Sequence, residues 1–182
     1  MRKVVTLLVE NEAGTLARIV GLFSQRGYNI ETLNVAPTQD STLSCITLTT
    51  RTNDVGMEQV VKQLNKVVNV VTVIPYNNAH HLSRELALVK ILVDEENRVQ
   101  ILSIAQKFQA HIINSTPHSY IFQVTQTHSQ IKKFLNEMKA FGVHEIRCSG
   151  ELILSRGISG INENKSSKNS EEDQSLTEFK KP

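Results

Sequence analysis

The chain has 182 residues, of which 40% are hydrophobic, and a net charge of +2, enough for one domain or two small ones with real cores. The charge signs are interspersed, which gives no electrostatic footprint for nucleic acid, and no apolar run approaches the length of a membrane span. The start, Met1-Arg2-Lys3-Val4-Val5-Thr6, runs straight into a strand pattern with neither a secretory cleavage site nor an Arg- and Ser-rich transit composition, so a cytoplasmic location, or the plastid stroma if the chain is plastid-encoded, is expected over secretion.

Taken in chain order, the pattern predicts a strand at Val4–Val9, then a helix with Leu16, Ile19, Val20 and Phe23 on one stripe. Strands follow at Ile30–Ala36 and Leu43–Thr50, joined by a turn through Pro37, Asp40 and Ser41. A second helix carries Met57, Val60, Val61 and Leu64, and a strand at Val70–Ile74 closes the unit. After a polar seam at Asn77–His81 the plan repeats. There is a strand at Leu86–Val93, then a helix with Ile101, Ile104, Ala105 and Phe108. Strands at Ile112–Thr116 and Tyr120–Thr125 come next, then a helix with Ile131, Phe134, Leu135 and Met138, then a strand at Val143–Cys148. The i, i+3, i+4, i+7 spacing predicts helices lying on a sheet.

Two βαββαβ units follow, making an α+β protein of two ferredoxin-like domains in tandem. The expected limits are 1–77 for the first domain, 78–84 for a linker, 85–160 for the second domain and 161–182 for a disordered tail, since Asn162 to Pro182 is mostly Asn, Lys, Ser and Glu. Right-handed crossovers put the first strand in the middle of each sheet. In the first unit that strand is apolar on both faces, with Val5, Leu7 and Val9 on one and Val4 and Leu8 on the other. Helices cover one face only, so an oligomer is expected.

The most informative stretch is Asn11-Glu12-Ala13-Gly14-Thr15-Leu16-Ala17-Arg18, where the first strand hands over to the first helix. A helix start offers free backbone N–H groups to an anion, and Gly14 lets a ligand approach the backbone. An ordinary capped turn has the same local sequence.

The fold alone does not give function. An RNA-recognition module needs aromatics on its central strands, and Leu43–Thr50 has none. Tyr120 and Phe122 alternate onto one face without basic company and are read as packing. A metal carrier would want Cys-x-x-Cys at the first turn, and a phosphatase a basic residue there. Cys45 and Cys148 read as reduced, partly buried thiols. The six histidines are scattered or adjacent, no acid–base pair converges, and no catalytic or metal site is expected.

A small-molecule sensor remains. Backbone N–H groups of Thr15, Leu16 and Ala17 can take a carboxylate, while the Asn11 side chain and Asn29, in the turn before Ile30, can reach an amino acid's polar groups. Each charge-assisted bond contributes about 1.5–3 kcal/mol and association costs at least about 4 kcal/mol, which suits a weak sensor.

Asn11-Glu12-x-Gly14-x-Leu16-x-Arg18, then Gly21 through Leu33 unbroken, then Val35-Ala36-Pro37-Thr38, closely resembles the small regulatory subunits of acetolactate synthase, also called acetohydroxyacid synthase. Arg84-Glu85-Leu86-x-Leu88-Val89-Lys90 and Leu154-Ser155-Arg156-Gly157 fit the same family. The resemblance implies an N-terminal ACT domain, a related second domain, and a homodimer with amino-acid sites where the N-terminal domains pair. It implies a partner, the catalytic large subunit, which carries thiamine diphosphate, Mg²⁺ and FAD. This chain itself would hold no cofactor, would raise the partner's activity, and would confer feedback inhibition by valine in branched-chain amino-acid biosynthesis. Family ligand positions fall on Asn11, Gly14 and Asn29. Ala17 stands where many relatives have Ser, which removes a hydroxyl contact.

The expected valine site is therefore Asn11, Gly14, Thr15, Leu16, Ala17, Asn29 and Ile30, with Arg26 and Tyr28 expected to contact the large subunit. A stand-alone ACT-type sensor acting on another target is the alternative. Valine and isoleucine differ by one methylene, worth roughly 1–3 kcal/mol in a pocket.

Overall fold

The computed structural model describes residues 1–76, 81–157 and 161. The first unit is β1 (Arg2–Glu10), α1 (Thr15–Gln25), β2 (Ile30–Pro37), β3 (Leu43–Arg51), α2 (Asp54–Leu64) and β4 (Val70–Tyr76). Its sheet has the order β2-β3-β1-β4, antiparallel throughout. The second set is β5 (His81–Leu92), α3 (Arg98–Lys107), β6 (His111–Thr116), β7 (Ser119–Gln126), α4 (His128–Met138), a 3-10 turn at Lys139–Phe141, and β8 (Val143–Ser155), with sheet order β6-β7-β5-β8. This is the tandem βαββαβ architecture that the hydrophobic periods predict. By contacts the chain divides into two compact units, Met1–Leu82 with the segment from Ile153 onward, and Ser83–Leu152. The expected tail lies outside the described residues apart from Ile161, as do residues 77–80 of the polar seam.

Two strands are longer than their patterns suggest. β5 begins at His81, within the stretch read as linker, and keeps a strict in–out alternation through Ser83 and Glu85. Polar residues on the inward positions hid that period. β8 runs past Cys148 to Ser155 through Gly150, whose φ is 78°. A glycine inside a strand reads as a stop in sequence but is here a local kink in a continuous strand.

Each unit closes its own core. In the first, Val5, Leu7 and Val9 of β1 and Ile46 and Leu48 of β3 meet Ile19 and Phe23 of α1 and Met57, Val60 and Leu64 of α2. In the second, Ala87, Val89 and Ile91 meet Ile101, Ala105, Ile131, Phe134 and Met138, and Phe134 stands edge-on to both Phe108 and Phe122. Tyr120 and Phe122 are buried in this core, which leaves them no open face for a nucleic-acid base. β1 is buried on both faces, since Leu8 and Thr6, which point away from the helices, are also inaccessible. On that side the Thr6 and Thr47 hydroxyls lie 3.3 Å apart and Thr32 donates to Thr49 at 2.7 Å.

Helices α2, α3 and α4 bury the stripes their spacing predicts. Helix α1 does not. Its inward face is Thr15, Ile19, Leu22 and Phe23, while Leu16 and Val20, assigned from sequence to the same apolar stripe, are 39% and 36% exposed. In α1 Leu22 adds a fifth apolar position and widens the arc beyond what one sheet face covers. The helix turns Ile19, Leu22 and Phe23 inward and is left with a second, outward apolar side.

Candidate functional site: the turn between β1 and α1

At the end of β1 the Asn11 N–H donates to the Thr42 carbonyl at 2.7 Å, and the Asn11 side-chain amide donates to the Ser41 carbonyl at 3.0 Å. The turn is thus pinned to the loop before β3. This uses the Asn11 backbone N–H and one of its two side-chain donors and leaves its side-chain oxygen for a ligand. Gly14 is the residue before the helix and has φ 89°, in the left-handed region that favours glycine. A Cβ built there would meet nothing within 4 Å, so the glycine opens onto free space.

The helix start is uncapped by any side chain. The Thr15 N–H donates to the Glu12 carbonyl at 3.2 Å and the Arg18 N–H to the Gly14 carbonyl at 3.0 Å. Among the described residues no backbone acceptor meets the N–H groups of Leu16 and Ala17, which are the two donors left for an anion. Thr15 therefore offers neither of its donors outward. Its N–H is engaged, and its side chain is only 3% exposed, with a buried hydroxyl lacking a protein partner. Ala17 lines a shallow cleft of about 510 Å³ with Arg18, Gly21, Leu22, Gln25, Arg26 and Gln63.

Asn29 and Ile30 are elsewhere. The Asn29 carbonyl accepts from Thr50 Oγ1 at 2.7 Å, and Ile30 pairs with Thr50 at the far end of β3. Beside them Glu31 is shared by Arg2 and Arg51. One chain brings Asn11, Gly14, Leu16 and Ala17 together and leaves Asn29 and Ile30 at the opposite end of the sheet. Tyr28 is half-buried, with its ring edge-on to Phe23 and its N–H bonded to the Phe23 carbonyl, while Arg26 is exposed at the end of α1.

Sequence reasoning missed Asn69. Its side chain joins Arg18, Glu10 and Glu12 and so belongs to this turn. The signal was a lone polar residue in Val67-Val68-Asn69-Val70-Val71. Among the described residues no His, Cys, Asp or Glu group could hold a metal ion, and no helix is long and apolar enough to cross a membrane.

The fold and the glycine-opened βα turn define a tandem ACT-domain protein. The family described as AHAS small subunit-like ACT domain matches residues 5–72, and that described as small subunit of acetolactate synthase matches 84–157. The acetolactate synthase isozyme 3 small subunit of Escherichia coli is 41% identical over 158 residues, covering 86% of this chain and 97% of that protein. The acetolactate synthase small subunit of Haemophilus influenzae is 40% identical over 162 residues, covering 88% and 99%. The crystal structure of the small subunit from Thermotoga maritima superposes with a TM-score of 0.78 at 28% identity, covering 87% of this chain and 99% of that one. The chain belongs to the acetolactate synthase small-subunit family, the regulatory subunits that partner the catalytic subunit of that enzyme.

Proposed function

We propose that this chain is a non-catalytic subunit that raises the activity of the acetolactate synthase large subunit and imposes feedback inhibition by valine. In this reading thiamine diphosphate, Mg²⁺ and FAD belong to the large subunit, and this chain's only small ligand is the effector. Valine's carboxylate takes the Leu16 and Ala17 N–H groups at the start of α1, where the helix dipole favours an anion by about 0.3–1 kcal/mol. The Asn11 side-chain oxygen receives its ammonium, and Gly14 leaves room for its backbone.

One observation carries the reading. The residues expected to hold valine are split between the two ends of one sheet. β2 is an edge strand whose last residues, Val35 to Pro37, are exposed. A two-fold axis through the middle of β2 would pair it antiparallel with its copy. That operation carries Asn29 and Ile30 of the second chain to the Pro37 end of the first, which is the end where Asn11 and Gly14 lie. Right-handed crossover places α1 on the β2 side of the sheet, so its outward Leu16 and Val20 flank the same edge. The homodimer therefore completes the site and covers the apolar side of α1.

Arg26 is assigned to the large subunit, since it is exposed and borders the open cleft between α1 and Gln63 of α2. Tyr28, half-buried with its ring edge-on to Phe23, is assigned to the same contact. The test is acetolactate synthesis by the large subunit, with and without this chain, titrated with each branched-chain amino acid. Activation that valine reverses is the expected result. Activation without any valine response would leave only the coarser regulatory role standing.

A further inference from the structure

Asn69 sits one residue ahead of β4 and is 4% exposed. Its side-chain oxygen accepts from Arg18 Nη1, while its amide nitrogen donates to Glu10 Oε2 at 2.7 Å and to Glu12 Oε2 at 3.1 Å. Its main-chain carbonyl accepts the Glu10 N–H at 2.9 Å. One buried amide thus ties the end of β1, the turn, and the first turn of α1 to the segment entering β4. Only a side chain with both an acceptor and two donors can do this. An aspartate has no donor when ionised, and a leucine has neither.

Those contacts also sort charge. Glu12 lies two residues before Gly14 and five before Ala17. Released from Asn69, its carboxylate is free to swing over the helix start, where it would compete with and repel an anion. Held by Asn69, it is drawn to the β4 side. Arg18, the cation of the first helical turn, is held to the same amide and so stands opposite the two carboxylates.

We propose that Asn69 is a positioning residue for the amino-acid site: by holding Glu12 back it keeps the start of α1 open to the ligand's carboxylate. This rests on the reading that valine binds at the β1–α1 turn. Asn69 touches no ligand itself and acts through Glu12.

The experiment measures valine affinity of the full chain by calorimetry and the valine concentration for half-inhibition of its complex with the large subunit, with thermal unfolding alongside. Asn69→Asp preserves shape and the Arg18 bond but turns the donor into a third carboxylate. It should weaken valine about ten-fold, the loss of one charge-assisted contact. Adding Glu12→Gln takes the repelling charge away from the helix start and should recover most of that affinity. Thermal stability should stay below wild type, still lowered by Glu10 facing the new carboxylate. A purely architectural role for Asn69 predicts that affinity and stability fall and recover together. Asn69→Ala withdraws the donor without adding charge. It serves if the aspartate variant does not fold, and it must weaken valine in the same direction. Wild-type affinity in folded Asn69→Asp, where Gly14→Asp abolishes binding, would overturn the inference and leave the site intact. A loss that Glu12→Gln fails to offset would also overturn it. If neither Asn69→Asp nor Gly14→Asp alters valine binding, the site is not at this turn, and the reading falls together with the inference.

Discussion

Asn11 and Asn29 are anchored at opposite ends of β3. The Asn11 N–H donates to the Thr42 carbonyl at 2.7 Å, just before β3, and the Asn29 carbonyl accepts from Thr50 Oγ1 at 2.7 Å near its end. At about 3.3 Å per residue these anchor points are roughly 25 Å apart. A valine molecule cannot bridge them, so a site that uses both asparagines needs two chains.

That separation makes the dimer testable. Val20 and Val35 are exposed, at 36% and 43%, on the side of α1 and on the edge strand proposed to pair. Val35→Lys with Val20→Glu should shift sedimentation from dimer to monomer and remove valine binding together. Neither residue is in the core, so the circular dichroism spectrum should stay that of the wild type. A monomer that still binds valine would place the whole site within one chain.

Gly14→Asp should abolish valine inhibition. The new carboxylate would occupy the free space beyond Gly14 and repel the ligand's own carboxylate at the helix start. Because φ is 89° there, the variant also loses about 1–2 kcal/mol of stability, although aspartate tolerates this region better than most residues. Asn11→Ala should weaken valine less, since it removes contacts without adding charge. Calorimetry on the folded, dimeric variants separates these outcomes.

Arg26→Ala should reduce activation of the large subunit at limiting small subunit while valine affinity is kept, because the exposed guanidinium contributes nothing to the β1–α1 turn. Tyr28→Ala should cost stability as well, since it removes an edge-on contact with Phe23 and half-buried apolar area, a loss below the roughly 1.5–3 kcal/mol of a fully buried side chain. Activation assays at sub-saturating ratios, with thermal melts, distinguish the two.

The cysteines give a pH signature. Burial pushes the Cys45 thiol above its ordinary value of 9.0. Cys148 is raised from the same value by burial first, and then by the charge of Glu85 and a hydrogen bond to it. A raised thiol value means the folded state favours the protonated form. This contribution to stability is therefore fully present below the ordinary value and is lost as pH rises through the folded one. Alkylation needs the thiolate, so both residues should react slowly with iodoacetamide at neutral pH and faster only above pH 9.0. Fast labelling of either at neutral pH would contradict this.

The fold was legible because periods of two and near 3.6 alternate cleanly, and because β-branched runs such as Leu43–Thr50 stand between polar turns. What sequence misjudged were places where a period is masked or over-filled. Ser83 and Glu85 hide the inward face of β5, Gly150 interrupts β8 without ending it, and Leu16 and Val20 give α1 more apolar surface than its sheet can cover. At the site, Gly14 and Asn11 could be picked from the turn itself, since a βα turn rich in small and polar residues exposes its backbone. Asn69 stands out in sequence only as a lone polar residue among valines. Its place at the site could not be read, because it is 58 residues from Asn11 and is brought there by the β1–β4 pairing.

The central claim is that valine binds between two chains, each giving half of the site. Its most direct test is complementation between two variants that each fail alone. Gly14→Asp disables the turn, and Asn29→Ala disables the contribution from the facing chain. Each homodimer should bind no valine by calorimetry. After denaturation and refolding together, mixed dimers pair the intact turn of one chain with the intact Asn29 of the other, so a fraction of the sites should return at wild-type affinity. Recovery of those sites is the predicted result. A mixture that binds no more valine than its parents, with mixed dimers shown by mass spectrometry to be present, would contradict the shared site.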